Sequence, residues 1–468
     1  MPGDRFDLVV IGAGPAGEKG AVQAAYFGKT VAIIEKEREP GGAGVHTGTL
    51  PSKTLRESAL YLSGHRAREI YGIAVELESD ATLPRLMARK NAIADSESQR
   101  IRWNLERHGV KYFNGHARFV DAHAVEVDGA AGTTRVEGEY FLLATGSKPF
   151  RPADIDFDDA SIHDSDEVLE IDVLPKSLSI LGGGVIGCEY ACMFAALDVK
   201  VTLVDARPEI LPFLDQEIIE RLRGAMTNMG VRFVQGQRWT KVAKTPHGVQ
   251  TTLVDGTTIE TQQLLFAAGR IGQTASLQLD KVGVQPDSRG YVKVDDAYRT
   301  SVPHILAAGD VIGFPALASV SMDQGRVAVC QAFGFGYKKA VADLMPYGIY
   351  TIPEVSAIGE TEQTCKEKNI DYVAGRALYR ENARGKISGD LEGITKLVVD
   401  AESRKLLGVH VIGERATELV HIGQAVIHMH GTVDLFIDMV FNFPTLAESY
   451  KYAAYGCLAA LNQRGSKR

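Results

Sequence analysis

Cysteine is scarce in this sequence, with five residues in a chain of 468. Cys188 and Cys192 form the closest pair and fall one turn apart on a predicted helix. No further cysteine or histidine follows them at the spacing of a metal site. We therefore predict neither a disulfide framework nor a bound metal, and we interpret the pair as part of a helix core.

Long apolar runs and an excess of positive charge are also missing. No apolar run approaches the roughly 20 residues that a membrane-spanning helix needs. The segment Leu8–Ile11 is short, follows Asp7 and precedes glycines, unlike the core of a signal peptide. The formal net charge of −8 disfavours nucleic acid or an anionic membrane as a partner. We therefore expect a cytoplasmic protein.

Glycine is concentrated in two similar loops, each between a strand and a helix. In the first loop, Gly12, Gly14 and Gly17 follow a predicted strand at residues 7–11. The first glycine makes the turn, the second lets backbone N–H groups approach a pyrophosphate, and the third lets the helix pack closely on the strand. Glu35 ends the next strand and suits a ribose diol. This pattern predicts a dinucleotide site.

The second loop repeats this design later in the chain. Gly182, Gly184 and Gly187 follow a predicted strand at residues 178–181 and lead into a predicted helix over residues 189–197. Another strand follows that helix, as in the first unit. Because both loops lie between a strand and a helix, we predict two dinucleotide sites.

The end of that following strand bears on the choice of nucleotide. Asp205 favours a free 2′-hydroxyl, as in NAD, whereas Arg207 could pair with the 2′-phosphate of NADP. An arginine after a strand is also a common surface residue, and both readings of Arg207 stay open. The two side chains together permit the use of both nucleotides.

Residues 41–53 read GGAGVHTGTLPSK and resemble the active-site segment of the flavoprotein disulfide reductases, whose pattern is G-G-x-C-x-x-x-x-C-x-P-S-K. Gly44 and Thr49 stand at the two cysteine positions. Neither residue can carry electrons as sulfur does, so a disulfide relay is excluded here. Gly42 and Lys53 are retained, and the resemblance implies that they lie beside a flavin.

Other segments carry the same resemblance. Residues 141–149 resemble the hinge at which this family leaves its FAD domain, and residues 300–310 resemble its second FAD fingerprint, which ends in Asp310. A helix that starts near residues 317–320 could direct its N-terminal dipole at a reduced flavin. The predicted cofactor-binding residues are Gly12, Gly14, Gly17, Glu35, Gly42, Thr49, Lys53, Thr145, Gly146, Gly182, Gly184, Gly187, Asp205, Arg207, Gly269, Arg270, Gly309, Asp310, Leu317 and Ala318.

The resemblance also implies an architecture. We expect an α/β protein with two Rossmann-like nucleotide-binding domains and a C-terminal α+β dimerisation domain. The predicted FAD-binding domain has two parts, residues 1–149 and 277–346. Residues 150–276 form the predicted NAD(P)-binding domain, and residues 347–468 the interface domain of a homodimer.

The C-terminal motif separates this chain from the disulfide reductases of the family. Their H-P-T-x-x-E motif supplies a histidine that serves the thiols, but here Phe443 takes the histidine position and Glu448 ends the motif. This and other segments resemble the soluble pyridine nucleotide transhydrogenases, which keep a cysteine at the position of Gly44. The predicted catalytic residues are Lys53, Glu189, Phe443 and Glu448, of which Lys53 and Glu189 resemble an ion pair beside the flavin.

Three functions remain open at this stage. The first is hydride transfer from NADPH to NAD⁺ through FAD, which needs no thiol and no imidazole base. The second is reduction of quinones or dyes by NAD(P)H at the same flavin. The third is flavin binding without turnover, against which two complete glycine-rich loops argue.

Thiol reagents should leave NAD(P)H-dependent activity largely intact, because none of the five cysteines falls within residues 41–53. The measurement is the initial rate of NAD(P)H oxidation before and after treatment with iodoacetamide. For the same reason lipoamide and oxidised glutathione should be poor acceptors. Strong activity with either disulfide would contradict this interpretation.

Overall fold

The first glycine-rich loop joins a strand to a helix in the computed structural model, which describes residues 4–64, 72 and 79–465. The strand is buried along its last four residues, so the loop starts at the edge of the core. The elements up to residue 149 are β1 (Asp4–Ile11), α1 (Pro15–Tyr26), β2 (Val31–Glu35), α2 (Gly42–Val45), α3 (Thr49–Leu62), α4 (Ser79–Arg107), β3 (Lys111–Asn114), β4 (His116–Asp121), β5 (Ala124–Gly129), β6 (Gly132–Leu143) and β7 (Ser147–Pro149).

The second loop also joins a strand to a helix. That helix begins at Val185, directly after Gly184, and not at Glu189 as predicted, because the glycine-rich loop itself leads into the first helical turn. The elements of this part are β8 (Ile162–Asp164), β9 (Ser177–Leu181), α5 (Val185–Ala196), β10 (Lys200–Asp205), α6 (Gln216–Asn228), β11 (Arg232–Gln235), β12 (Trp239–Thr245), β13 (Gly248–Leu253), β14 (Thr258–Thr261), β15 (Gln263–Phe266) and β16 (Arg270–Gly272).

The rest of the chain adds one strand to the first part and then forms a separate sheet. Its elements are β17 (Ile305–Ala307), α7 (Ala318–Phe333), β18 (Tyr347–Ile349), β19 (Val355–Gly359), α8 (Glu362–Glu367), β20 (Tyr372–Leu378), α9 (Ala383–Ser388), β21 (Ile394–Asp400), β22 (Leu406–Ile412), α10 (Ala416–His428), α11 (Asp434–Asp438) and α12 (Ser449–Gly465). None of the helices in the described residues is long and apolar enough to cross a membrane.

Two sheets carry the glycine-rich loops. The first has seven strands in the order β3-β2-β1-β6-β5-β4, with β17 beside β6. The second has five parallel strands in the order β11-β10-β9-β15-β8. The antiparallel pair β7 and β16 lies where the chain passes from the first sheet to the second and returns. β17 then completes the first sheet, so two separate segments of the chain build it.

The third sheet is antiparallel, in the order β18-β19-β22-β21-β20. α10 and α12 pack on it, and Tyr450 of α12 is fully buried between them. The Tyr450 hydroxyl donates to the backbone oxygen of Leu419 at 2.8 Å, which satisfies a polar group inside this core. The first sheet is mixed, because β4, β5 and β6 pair in antiparallel fashion, whereas the second is parallel. Together with the antiparallel third sheet they confirm the predicted α/β class with a C-terminal α+β domain.

A buried lysine joins the second sheet's helices to the third sheet. Lys396 on β21 is 1% exposed. Its ammonium lies 2.6 Å from Asp215, 3.2 Å from Glu217 and 2.6 Å from Glu362. Asp215 also caps α6 by accepting a hydrogen bond from Glu217 N at 3.1 Å. Burial opposes ionisation of Asp215, but His410 and Lys396 outweigh it and hold the pKa of that carboxyl below its usual value.

Lys396→Met should lower the free energy of unfolding by about 3–5 kcal/mol, because it leaves the buried carboxylate of Asp215 without its cation. Urea unfolding at neutral pH measures the loss. The matched control is Lys366→Met on α8, where the lysine is exposed and the change should matter little. Equal unfolding curves for the two variants would show that the cluster around Lys396 does not hold the two parts together.

Candidate functional site

One large pocket, of about 1650 Å³, collects most of the predicted cofactor-binding residues. Ligand pockets usually have about 300–1,000 Å³, so this space can hold more than one small molecule. The predicted residues that line it are Gly12, Gly14, Glu35, Gly42, Thr49, Lys53, Thr145, Gly146, Gly184, Glu189, Gly269, Arg270, Gly309, Asp310, Leu317 and Ala318. Those that do not are Gly17, Gly182, Gly187, Asp205, Arg207, Phe443 and Glu448.

Two glycines of the first loop, Gly12 and Gly17, occupy positions where a side chain would clash with the main chain. Gly12 has φ +102°, and a Cβ atom there would overlap the carbonyl group of Ala144. A Cβ atom at Gly17 would overlap the carbonyl oxygen of Gly12, which explains why α1 can lie so close to β1. Gly14 and Gly42 both line the pocket and are in close contact, since an added Cβ atom on Gly42 would lie 2.9 Å from Gly14 Cα. The glycines therefore leave a narrow cradle lined by main chain.

Glu35 closes one end of this cradle. Its carboxylate accepts hydrogen bonds from Ala13 N at 2.7 Å and from Glu37 N at 3.0 Å. The side chain is 5% exposed in the chain and still lines the pocket. Two main-chain donors fix the carboxylate, and its remaining lone pairs can accept from a ribose diol.

The far end of the cradle carries polar groups that suit a flavin dinucleotide. The Thr145 hydroxyl oxygen is buried and finds no hydrogen-bond partner among the described residues. Asp310 accepts from the Ser147 hydroxyl at 3.0 Å. Ser147 in turn accepts from Arg270 Nε at 2.9 Å. Since a buried hydroxyl normally has a partner, Thr145 is an unfilled contact that a bound dinucleotide would satisfy.

The N-terminus of α7 opens into the same pocket. The helix begins at Ala318, after Leu317, and no side chain caps it. Leu317, Ala318 and Ser319 all line the pocket. The first backbone N–H groups of α7 therefore lie at the pocket. They form the positive end of the dipole of a helix of 16 residues. Such an end favours a ligand that gathers negative charge.

Lys53 and Glu189 form an ion pair in the pocket. Lys53 Nζ lies 2.7 Å from Glu189 Oε2. The side chain of Glu189 is 9% exposed and that of Lys53 is 25% exposed. Tyr350, which the sequence analysis did not identify as a site residue, donates its backbone N–H to Glu189 Oε1 at 2.9 Å. Its contact with a residue 161 positions away in the chain was not visible in the sequence.

The site contains no thiol. Gly44 lies against Pro15, and a Cβ atom at Gly44 would come within 2.9 Å of the Pro15 ring. All five cysteines fall within the described residues; they are buried, and none lines the pocket. Burial raises the pKa of Cys192 to about 12, so its thiolate is absent at neutral pH. Cys188 donates its thiol to Gly183 O at 3.6 Å inside the helix–strand core.

The second glycine-rich loop has the same backbone geometry as the first. A Cβ atom at Gly187 would overlap the carbonyl oxygen of Gly182, which has φ +118°. Asp205 accepts a hydrogen bond from Gly183 N, as Glu35 does from Ala13 N. The second cradle therefore has the same backbone design as the first.

Asp205 and Arg207 bind each other. Arg207 Nε donates to Asp205 Oδ1 at 2.9 Å and Arg207 Nη2 donates to Oδ2 at 2.8 Å. Burial of Asp205 opposes ionisation, but the hydrogen bonds from Arg207 and Gly183 outweigh it and lower its pKa. The Arg207 side chain remains 47% exposed, so the guanidinium can also reach a ligand.

Arg270 connects the two halves of the pocket. Besides Ser147 it faces Asp166, with 3.5 Å between Nη1 and Oδ1. Burial raises the pKa of Asp166, although Arg270 opposes part of that rise. Asp166 and Ser147 also line the pocket and were not predicted as site residues. Ser147 lies in the hinge segment 141–149, whereas no sequence motif distinguishes Asp166.

Phe443 and Glu448 do not take part in the pocket of their own chain. Phe443 is 73% exposed. Glu448 accepts a hydrogen bond from the Tyr452 hydroxyl at 3.4 Å near the start of α12. Neither side chain lies beside Lys53 or Glu189 within one chain.

Similarity to known proteins extends over almost the whole chain. The family described as pyridine nucleotide-disulphide oxidoreductase matches residues 6–325, and its dimerisation domain matches residues 345–454. A soluble pyridine nucleotide transhydrogenase of Mycobacterium bovis is 46% identical over 464 residues, which cover 98% of this chain and 99% of the relative. A protein of the same name from Hahella chejuensis is 39% identical over 454 residues, or 96% and 97% of the two chains.

Solved structures agree with this result. LpdA from Mycobacterium tuberculosis is 29% identical, with a TM-score of 0.89 over 97% of this chain and 99% of that one. The flavoprotein disulfide reductase RclA from Escherichia coli, in its Cu(II) complex, is 26% identical, with a TM-score of 0.88 over the same shares. The predicted resemblance is confirmed, and the chain belongs to the pyridine nucleotide-disulphide oxidoreductase family.

Proposed function

We propose that this protein transfers hydride between NADPH and NAD⁺, with FAD as the carrier between them. The observation that carries the proposal is a single pocket bordered by both glycine-rich loops and lacking any thiol. Relatives that are 39–46% identical over almost the full chain are named soluble pyridine nucleotide transhydrogenases. A bound flavin supplies a group that accepts and returns a hydride without a sulfur partner.

The chain's own residues bind and orient the nucleotides in this proposal. Glu35 and the first glycine-rich loop hold the adenosine and pyrophosphate of FAD, while Thr145 and Asp310 hold its polar chain. Asp205, Arg207 and the second loop hold NAD or NADP. Binding in a fixed orientation supplies most of what hydride transfer requires, because the reacting groups only need to meet at short distance.

Lys53 and Glu189 have an electrostatic role. The Lys53 cation in the pocket offsets the negative charge that reduction of the flavin adds, and the Glu189 carboxylate holds the cation in place. The positive end of α7 acts in the same direction.

We also propose a homodimer that uses the C-terminal domain, in keeping with the dimerisation-domain match. Several large apolar side chains of this domain are exposed in the single chain, an arrangement typical of a surface that another subunit covers. They include Met429, Val440, Phe443, Tyr452 and Tyr455. In such a dimer Phe443 and Glu448 would serve the other subunit's pocket. A cytoplasmic location remains a prediction.

Reduction of quinones is a second candidate, and the mouth of the pocket favours it. Phe213 and Tyr347 lie there with their ring centres 5.2 Å apart. Phe314 lies 6.5 Å from Tyr347, with the two ring planes 18° apart, and is 83% exposed. Such aromatic groups can stack on a planar neutral acceptor.

Anaerobic stopped-flow measurements test the two candidates. NADPH should bleach the flavin absorbance, and NAD⁺ added afterwards should restore it at a rate compatible with turnover. Lys53→Met should slow the bleaching roughly tenfold or more, because an interaction with a charged group contributes about 1.5–3 kcal/mol. Lys148→Met changes an exposed lysine that lines the same pocket and should leave the rate almost unchanged.

Recovery of the absorbance with menadione but not with NAD⁺ would reject the transhydrogenase and favour the quinone reductase. A purified protein that binds no flavin would reject both.

Arg207→Ala should raise the KM for NADPH at least tenfold and change that for NADH little, since a charge-assisted contact contributes roughly 1.5–3 kcal/mol, or one to two decades in affinity. Asp205→Asn should do the reverse, because the amide keeps an acceptor for Gly183 N but attracts a ribose diol less strongly. Steady-state kinetics with both nucleotides measure this split. Equal effects of Arg207→Ala on the two nucleotides would show that its guanidinium does not reach the 2′-phosphate.

A further inference from the structure

Tyr350 contacts both members of the Lys53–Glu189 pair, although it follows β18 in the last third of the chain. Its backbone N–H donates to Glu189 Oε1 at 2.9 Å, while Lys53 donates to Oε2 at 2.7 Å. Lys53 Nζ also lies 4.9 Å from the centre of the Tyr350 ring. The ammonium is therefore held between a carboxylate and an aromatic face, and a cation at this distance is attracted by the ring.

The Tyr350 ring also lies beside a chain of polar contacts that leads back to α3. Its phenol lies beside the Thr417 side chain, whose hydroxyl donates to Glu354 Oε2 at 3.0 Å. Glu354 Oε1 accepts from Arg56 Nη1 at 3.2 Å. Arg56 and Lys53 both lie on α3, one turn apart. The contacts thus run from α3 through Tyr350 and back to the same helix, which restrains the ring relative to Lys53.

The partial burial of Tyr350 suits a residue that restrains Lys53. Tyr350 is half-buried and lines the pocket. Burial raises the pKa of its phenol, so the side chain is neutral at physiological pH and offers Lys53 an aromatic face without a second negative charge. Glu189 therefore supplies the anionic partner, and Tyr350 supplies a neutral one that limits the directions in which the ammonium can move.

We propose that Tyr350 is a positioning residue: its ring fixes the Lys53 ammonium, and its N–H fixes Glu189, so that the cation acts on a bound flavin from a constant position. This inference rests on the proposed function because it assumes that FAD occupies the pocket. A cation held near the flavin stabilises the negative charge that reduction adds, and so raises the reduction potential. Loss of the ring should lower that potential.

The test is the flavin reduction potential of a series of variants, measured by photoreduction against a reference dye without any nicotinamide. Tyr350→Phe keeps the ring and should stay near the wild-type potential. Tyr350→trifluorophenylalanine keeps the size but withdraws electrons from the ring, and Tyr350→Leu removes the ring. Both should lower the ratio of reduced to oxidised flavin at fixed potential roughly threefold to thirtyfold. Tenfold corresponds to about 30 mV for a two-electron couple.

Two controls separate positioning from packing. Tyr140→Leu changes a half-buried aromatic residue that does not line the pocket and whose ring contacts Phe333, and it should not move the potential. In a Lys53→Met background the difference between Tyr350→Phe and Tyr350→trifluorophenylalanine should disappear, because the cation is gone. Flavin content and circular dichroism confirm that each variant is folded.

Equal potentials for Tyr350→Phe and Tyr350→trifluorophenylalanine would overturn the inference, as would a difference that persists without Lys53. The proposed function fails separately. If the potential follows the series but NADPH does not reduce NAD⁺, the role of Tyr350 stands and the transhydrogenase is rejected. If NADPH reduces NAD⁺ normally but the flavin potential is the same in all Tyr350 variants, the transhydrogenase stands and the role of Tyr350 is rejected.

Discussion

The carboxylate of Glu189 is the point on which the arrangement of the pocket depends. It is 8% exposed, and a buried carboxylate is costly unless both oxygens have partners. One partner is Lys53 on α3, and the other is the backbone N–H of Tyr350 after β18. Glu189 itself lies on α5 beside the second glycine-rich loop. A single charged group therefore sets the relative positions of three parts of the chain that are far apart in sequence.

The local design of both nucleotide cradles could be predicted from the sequence. Glycines at fixed spacing, a strand before them and an acid at the end of the next strand are short-range features, and each has a steric or hydrogen-bonding reason. The start of α5 was placed too late because the loop residues were treated as separate from the helix. The fold class followed from the same repeated units.

The contacts between distant segments could not be predicted in this way. Asp205 and Arg207 are two residues apart, yet their pairing depends on side-chain rotamers that no pattern specifies. Tyr350 and Glu189 are 161 positions apart, and neither periodicity nor spacing connects them. The family resemblance drew attention to Lys53 and Glu189, whereas their aromatic neighbour required coordinates.

Besides the Lys53–Glu189 pair, further contacts attach the second sheet and its helices to the rest of the chain. The antiparallel strands β7 and β16 join it to the first sheet, and the ion cluster around Lys396 joins α6 to the third sheet. A hinge motion at the strands would have to separate buried opposite charges at the other attachment, which costs several kcal/mol. The ion cluster around Lys396 therefore opposes rotation of the second sheet relative to the third.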